Sequence, residues 1–196
     1  FRSVLGVLCK EKLEAGKAPV EQLRKLTGNE QLRVIFPVGA ERESAMKKAE
    51  GILPASPKRW LDRLCEPNDW IWYLWGDEIR IVTRKEQVRR QLQTETTLAH
   101  RNAELASVLL ELARAARVSL EMDPGVLRHL PDETRENFNI LMGEATVAQA
   151  LEVISGATGL RFVPTGEGVR VEASEQLLAE TQPRERQRSP FFVRMS

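Results

Sequence analysis

The sequence predicts an α+β fold built from two tandem small domains. We expect each to place two helices on one face of a small mixed β-sheet that ends in a β-hairpin. Three observations lead to this prediction: an apolar pattern that occurs twice, short segments with period-two alternation, and amphipathic helical stripes between them. The chain has 196 residues, 42% hydrophobic and 29% charged. These values are ordinary for a globular protein, and the length fits two small domains.

The repeat is one of apolar pattern rather than of residue identity. The pattern of residues 61–81 recurs ninety positions later in 151–171, and that of 23–36 recurs eighty-six positions later in 109–122. A pattern with a fixed period indicates one supersecondary unit used more than once. Two copies are too few for a solenoid, so the repeat predicts tandem domains.

The second half carries the clearer signals. A strand over 96–100 leads, after Asn102, into an amphipathic helix, and a strand over 118–122 ends at the turn Asp123-Pro124-Gly125. Turn residues of this kind interrupt regular structure because they favour specific backbone angles. A further strand over 138–142 precedes the last helix and hairpin.

That last helix has recognisable ends. Thr146 and Gln149 form a capping-box pair at its start, and Gly159 is placed to end it in a left-handed conformation. The alternating residues of 160–171 then flank a turn containing Gly166 and Gly168, which predicts a hairpin. The predicted order of the second half is β-α-β-β-α-β-β.

The first half follows the same plan less closely. We predict helices over 4–13, 20–26 and 41–50, a strand over 32–38, and a helix that begins at Ser56-Pro57, where Ser is the N-cap and Pro occupies the first turn. The hairpin over 70–83 completes this copy. The predicted organisation is therefore a first domain over 1–83, a charged helical linker over 84–95, a second domain over 96–173, and a polar linker over 174–196 that leads into a further domain.

The second half resembles a known family. The residues that carry the resemblance are Thr97-Leu98, Arg101-Asn102-Ala103, Leu105, Val108-Leu109, Leu112-Ala113, Asp123-Pro124-Gly125 and Ala150-Leu151 followed by Thr158-Gly159-Leu160. Their order is similar to that of the short N-terminal domain of secretins and TonB-dependent transducers. Glu104 stands where that family often has proline, and His100 where it has an apolar residue. The resemblance covers 96–173 and extends more weakly to 18–83. It implies a periplasmic protein-interaction domain, as in a secretin ring or a signalling domain.

The hairpin of the first half supplies the candidate interaction surface. Trp70, Trp72 and Leu74 match core positions of the second copy, which leaves a second apolar face with Ile71, Tyr73, Trp75 and Val82. A strand that is apolar on both faces must have its second face covered. We expect Ile71, Tyr73 and Trp75 to be covered within the chain, by residues 1–16 or the second domain; the alternative is a partner or self-assembly surface. If they are covered, the partner surface is expected at an exposed sheet edge.

The sequence contains no catalytic or cofactor-binding motif. A P-loop, a G-x-G-x-x-G and a G-x-S-x-G are all missing, and the two histidines and two cysteines lack the spacing of metal ligands. We therefore predict no enzyme activity, no cofactor and no metal. Cys9 and Cys65 fit either two buried free thiols or one disulfide, because sequence alone does not fix their separation.

Three functional classes compete. The leading hypothesis, which follows from the resemblance, is a non-catalytic interaction or assembly module of a bacterial envelope protein, in the periplasm, with a protein partner or a second copy. The second is a small α+β nucleic-acid-binding module. The net charge of +1, with 29 basic and 28 acidic side chains interspersed, argues against it. The third is an accessory domain of an enzyme whose active site lies elsewhere. No apolar run approaches the length of a membrane-spanning helix.

Overall fold

The computed structural model describes the backbone of residues 2–123 and 125–181 and the side chains of 6–123 and 125–179. Pro124 of the predicted turn and residues 182–196 of the predicted C-terminal linker lie outside the described residues. The described chain divides into two compact units, one formed within Phe1–Gln91 with Pro164–Gly168 and the other within Leu92–Val163 with Val169–Ser196. Each unit combines helices with sheets of two or three strands, which confirms the α+β class.

The first unit contains five α-helices and three strands among the described residues. They are α1 (Arg2–Lys10), α2 (Pro19–Thr27), β1 (Arg33–Ile35), α3 (Arg42–Glu50), α4 (Pro57–Cys65), β2 (Trp70–Trp75), β3 (Glu78–Thr83) and α5 (Arg84–Gln91). The helix predicted over 41–50 is thus present. The strand predicted over 32–38 shrinks to three residues because Pro37 has no amide hydrogen to donate to a ladder.

The three strands form one mixed sheet in the order β1-β3-β2. β1 runs parallel to β3, with Val34 opposite Ile79, and β2 runs antiparallel to it, with Trp72 opposite Ile81. Ile79 and Ile81 are fully buried. They face a core that includes Leu23 of α2, Ala45 of α3 and Trp60 of α4. The helices therefore cover one face of this sheet, while its other face carries the candidate surface.

The second unit contains five strands and four α-helices among the described residues. They are β4 (Glu95–Ala103), α6 (Leu105–Ala116), β5 (Ser119–Met122), α7 (Asp132–Glu136), β6 (Phe138–Thr146), α8 (Val147–Thr158), β7 (Leu160–Pro164), β8 (Gly168–Ala173) and α9 (Glu175–Thr181). Among the described strands, β4 pairs only with β6, and the other three form a sheet in the order β5-β8-β7. We expected one small sheet here, and the structure corrects this to two.

The junction between β4 and α6 also differs from expectation. β4 continues to Ala103, and a register shift between His100 and Ala103 accommodates Asn102 in a left-handed conformation with φ 51°. The backbone amide of Asn102 donates to Oδ1 of Asn139 on the partner strand at 3.0 Å. A local bulge of this kind absorbs an extra residue without ending the strand. The helix then starts at Leu105, the first residue of its predicted apolar stripe.

The predicted helix ends are present in both units. The hydroxyl of Ser56 accepts from the amide of Arg59 at 3.3 Å, with Pro57 in the first turn. Thr146 and Gln149 form the reciprocal capping box of α8, and Gly159 ends that helix at φ 73°. Each of these ends satisfies backbone groups that a helix leaves unpaired.

The two three-stranded sheets share an order. In each, the last strand in sequence lies in the centre, the first strand of the hairpin lies at one edge and an earlier strand lies at the other. In each, a helix directly precedes the hairpin, α4 before β2 and α8 before β7. The segment 70–83 is a hairpin rather than a helix, as the repeat predicts.

Candidate interaction surface

Alternation along β2 separates a core face from an outer face. Trp70 is buried, and Trp72 and Leu74 pack partly buried against the core of the first unit. Successive residues of a strand point to opposite faces, so Ile71, Tyr73 and Trp75 lie on the other side. The assignment of inward and outward residues thus follows the sequence prediction.

Pairing across the sheet extends this outer face over all three strands. On β3, Val82 lies opposite Ile71, Arg80 opposite Tyr73 and Glu78 opposite Trp75. On β1, Ile35 lies opposite Arg80. We call the eight outward residues of the sheet the outer face: Arg33, Ile35, Ile71, Tyr73, Trp75, Glu78, Arg80 and Val82.

The four predicted surface residues have very different exposures. Trp75 is 62% exposed, and Ile71 and Tyr73 are half-buried, whereas Val82 is only 7% exposed. This corrects the expectation that Trp75 is covered within the chain, whereas Val82 contributes little accessible surface. Of the four, Trp75 is the large apolar side chain left open to solvent.

Helix α5 covers part of the outer face. It follows β3 directly and packs on it, and its Val88 is buried. A guanidinium nitrogen of Arg90 on this helix donates to the hydroxyl of Tyr73. α5 thus occupies 84–91 of the segment predicted as a charged helical linker over 84–95, and the end of the hairpin at Trp75 stays exposed.

The exposed end of the outer face is held by charged side chains. The carboxylate of Glu78 accepts a hydrogen bond from Arg33 at 2.9 Å and another from Arg80 at 2.8 Å, so it forms ion pairs with both guanidinium groups. The hydrogen bond to Glu78 is the main reason that the pKa of Arg80 is raised above its usual value. The Arg80 guanidinium also lies over the ring of Trp75, 5.4 Å from its centroid. This cation–π contact orients the indole without covering its far side.

A groove of about 620 Å³ adjoins the outer face. Its apolar lining comes from the segment 35–38 and from Val82, and its polar lining includes Arg80, Glu86 and Arg90. Ile35 is 41% exposed, and Val38 is fully exposed. Sequence analysis missed these two side chains, although the alternation of Val34 and Phe36 as core residues already places Ile35 outward.

β2 also leaves one backbone edge open among the described residues, because it is an outer strand of the sheet. The two residues Gly76 and Asp77 connect β2 to β3. In a two-residue hairpin the residues on either side of the loop, here Trp75 and Glu78, form backbone hydrogen bonds with each other, and the backbone groups of alternate residues point away from the partner strand. The backbone groups of Trp72 and Leu74 consequently point toward the free edge. Beside this edge, the indole nitrogen of Trp72 donates to Asp62 on α4 at 2.9 Å.

The thiols and histidines form no common site. Both cysteines are free; Cys9 is exposed, and Cys65 is buried, with desolvation raising its thiol pKa to about 12. In the second unit, Nε2 of His100 lies 3.1 Å from a carboxylate oxygen of Glu111. Within 2–123 and 125–181, no group of three or more His, Cys, Asp or Glu side chains is arranged to hold a metal ion.

The described helices are also too short or too polar to cross a lipid bilayer. Comparison of the chain with protein-family models, with curated proteins and with solved structures gives no match.

Proposed function

We propose that this chain is a non-catalytic interaction or assembly module of a bacterial envelope protein, acting in the periplasm. The observation that carries the proposal is the outer face of the first sheet, where Trp75 on one edge strand is 62% exposed and Ile35 on the other edge strand is 41% exposed. Tryptophan is enriched in protein interfaces because its large ring contributes contact area at low conformational cost. The resemblance of 96–173 to the short domain of secretins and TonB-dependent transducers supplies the cellular setting.

A second feature supports an interface. The side chain of Trp75 is already oriented by Arg80, and Arg80 is fixed in turn by Glu78. A side chain that is ordered before binding loses less rotational freedom when a partner arrives. The outer face is thus prepared to bind a protein surface with an apolar centre.

Site-specific photocrosslinking tests the interaction role. A benzophenone side chain placed at position 75 of the native protein in its own cells should give a discrete crosslink to another polypeptide. The matched control carries the same group at position 48, because Lys48 is also exposed but lies on α3, among the helices that cover the other face of the sheet. Equal crosslinking from both positions, or none from position 75, would contradict the proposal.

The exposed thiol of Cys9 tests the location. A membrane-impermeant maleimide that passes only the outer membrane should label the protein in intact cells. Cys65 contributes little to labelling because it is buried and its pKa is raised to about 12. The variant Cys9→Ser should lose the label. Labelling that requires lysis of the inner membrane would place the protein in the cytoplasm and refute the envelope assignment.

A further inference from the structure

β2 is the least protected edge strand of the described chain. Proteins guard exposed sheet edges with short strands, proline, charged side chains or bulges. β1 has three residues and is followed by Pro37, β7 ends at Pro164, β5 carries Glu121, and β4 and β6 pair with shifts of register. β2 has six residues, none of them charged or proline, and pairs with β3 without a shift. Its free edge is therefore open to another strand.

The free edge presents backbone donors and acceptors in a fixed order. The N–H and C=O groups of Trp72 and Leu74 point away from β3, and no described strand lies on that side. These two residues are about 7 Å apart, which is twice the rise per residue of a strand. An extended polypeptide repeats one donor and one acceptor at this spacing, so the edge is suited to bind a further β-strand.

A groove of about 530 Å³ lies along this edge. Trp70 and Trp72 of β2 line it, and among the described residues β3 contributes nothing to its lining, which places the groove on the open side of β2. α4 supplies the carboxylates of Asp62 and Glu66, four residues apart, to one wall. An added strand would therefore run beside α4.

The wall formed by α4 can accept a cation. Glu66 is exposed, and its contact with Arg63 at 3.9 Å is the longest ion pair among the described residues. Asp62 is more fully used, because it contacts Lys58 at 2.5 Å and accepts from the indole nitrogen of Trp72. Exposed pairs of this kind contribute little, so an incoming Lys or Arg can compete for Glu66.

The other wall of the groove has a different character. Ile71 of the outer face and Arg84 of α5 line it. The guanidinium group of Arg84 lies 3.3 Å from the carboxylate of Asp69. This wall therefore favours apolar side chains beside Ile71 and disfavours a second cation.

We infer that β2 binds an extended segment of a partner protein as an added antiparallel strand, with Lys or Arg toward Glu66 and apolar side chains toward Ile71. This inference rests on the proposed function and names the chemistry of its partner. Antiparallel pairing is the more stable arrangement per residue, and it places directly opposed side chains on the same face. Residues that bond to the backbone of Trp72 and Leu74 consequently point toward α4. The partner segment should therefore alternate basic and apolar residues.

A second copy is a poor occupant of this edge. A two-fold axis perpendicular to the sheet would join β2 to β2 and place both α4 helices on the same face of the joined sheet. Asp62 and Glu66 of one copy would then face the same carboxylates of the other, and like charges across a contact are unfavourable. A single extended segment brings no helix and no carboxylates to this face.

Short blocked peptides of alternating valine and lysine test the inference on the full chain. At saturating peptide, the amide protons of Trp72 and Leu74 should exchange at least about tenfold more slowly by NMR. The amide of Tyr73 should change little, because it already faces β3. N-methylation of the lysine amides removes the donors that face β2 and should abolish this protection. N-methylation of the valine amides, which point away from β2, is the matched control and should preserve it.

Reversing one charge tests the preference for a basic segment. Glu66→Lys should lower the affinity for the lysine peptide by up to about fivefold and raise the affinity for a peptide with glutamate in place of lysine. The control Glu50→Lys makes the same charge change at an exposed position of α3 and should alter neither affinity.

Three results would overturn the inference. They are exchange at Trp72 and Leu74 that no peptide slows, equal effects of the two methylated peptides, and equal effects of the two charge variants. Protection of the same amides in the free chain that disappears on dilution would assign the edge to a second copy and would overturn it as well.

The result is separable from the proposed function. A discrete crosslink from position 75 in cells, without protection of Trp72 and Leu74 by peptide, would refute strand addition and leave the interaction role intact. Protection by the lysine peptide without any crosslink from position 75 would support the strand site and contradict the proposed role of the outer face.

Discussion

Truncating two tryptophans of the first unit should separate a core residue from a surface residue. Trp60 on α4 is completely buried, so Trp60→Ala should cost about 3–5 kcal/mol, as other large-to-small core substitutions do. Trp75 is 62% exposed, so less than two-fifths of its surface is removed from water. Full burial of a large apolar side chain contributes about 1.5–3 kcal/mol to the free energy of unfolding. Because Trp75 is buried by less than two-fifths, Trp75→Ala should lower that free energy by about 1 kcal/mol.

The chain supplies a convenient assay for this comparison. All four tryptophans and the single tyrosine lie between positions 60 and 75, so intrinsic fluorescence reports on the first unit alone. Urea unfolding followed by fluorescence should show a large loss of stability for Trp60→Ala and a small one for Trp75→Ala. In a domain of this size, about 1 kcal/mol corresponds to about 4–8 °C in Tm. If Trp75→Ala lost as much stability as Trp60→Ala, the indole would be covered in solution, and the outer face could not serve as an open binding surface.

Four further substitutions test the local reasoning. Gly156→Ala in α8 should stabilise the second unit by up to about 1 kcal/mol, because its new methyl group meets open space. Gly159→Ala, at φ 73°, should destabilise that unit by about 1–2 kcal/mol; equal effects of the two in thermal unfolding would refute the left-handed cap. Thr146→Ala should cost about 1 kcal/mol and speed amide exchange at the start of α8; unchanged exchange there would exclude the capping box. The raised pKa of Cys65 makes the folded state bind more protons than the unfolded state between about pH 9 and 12, so stability should fall as pH rises through this range. Cys65→Ala should remove that component of the slope in urea titrations, and an unchanged slope would show that the buried thiol does not carry it.

Local features of the fold could be predicted from the sequence because each depends on nearby residues. The helix ends are examples, because each forms its contacts within one turn: the capping box of Thr146 and Gln149, the cap at Gly159, and Ser56 before Pro57. Alternation also predicted the hairpin over 70–83, but its register follows from the structure, where Glu78 belongs to β3 and pairs with Trp75. The sequence also contained the opposite net charges of residues 1–91 (+5) and 92–196 (−4), although their near-balanced total of +1 hid them.

The tertiary structure decided which strands pair and which faces are covered. Alternation predicts which side of β4 and of β6 faces inward, but it does not predict which strands they pair with. Only the structure shows that these two strands form a separate sheet. The same limit applies to the outer face. Val82 and Trp75 are both apolar and both point outward, yet Val82 is 7% exposed and Trp75 is 62% exposed. The burial of a side chain depends on its contacts with segments that are distant in sequence, so it cannot be read from the residue and its neighbours alone.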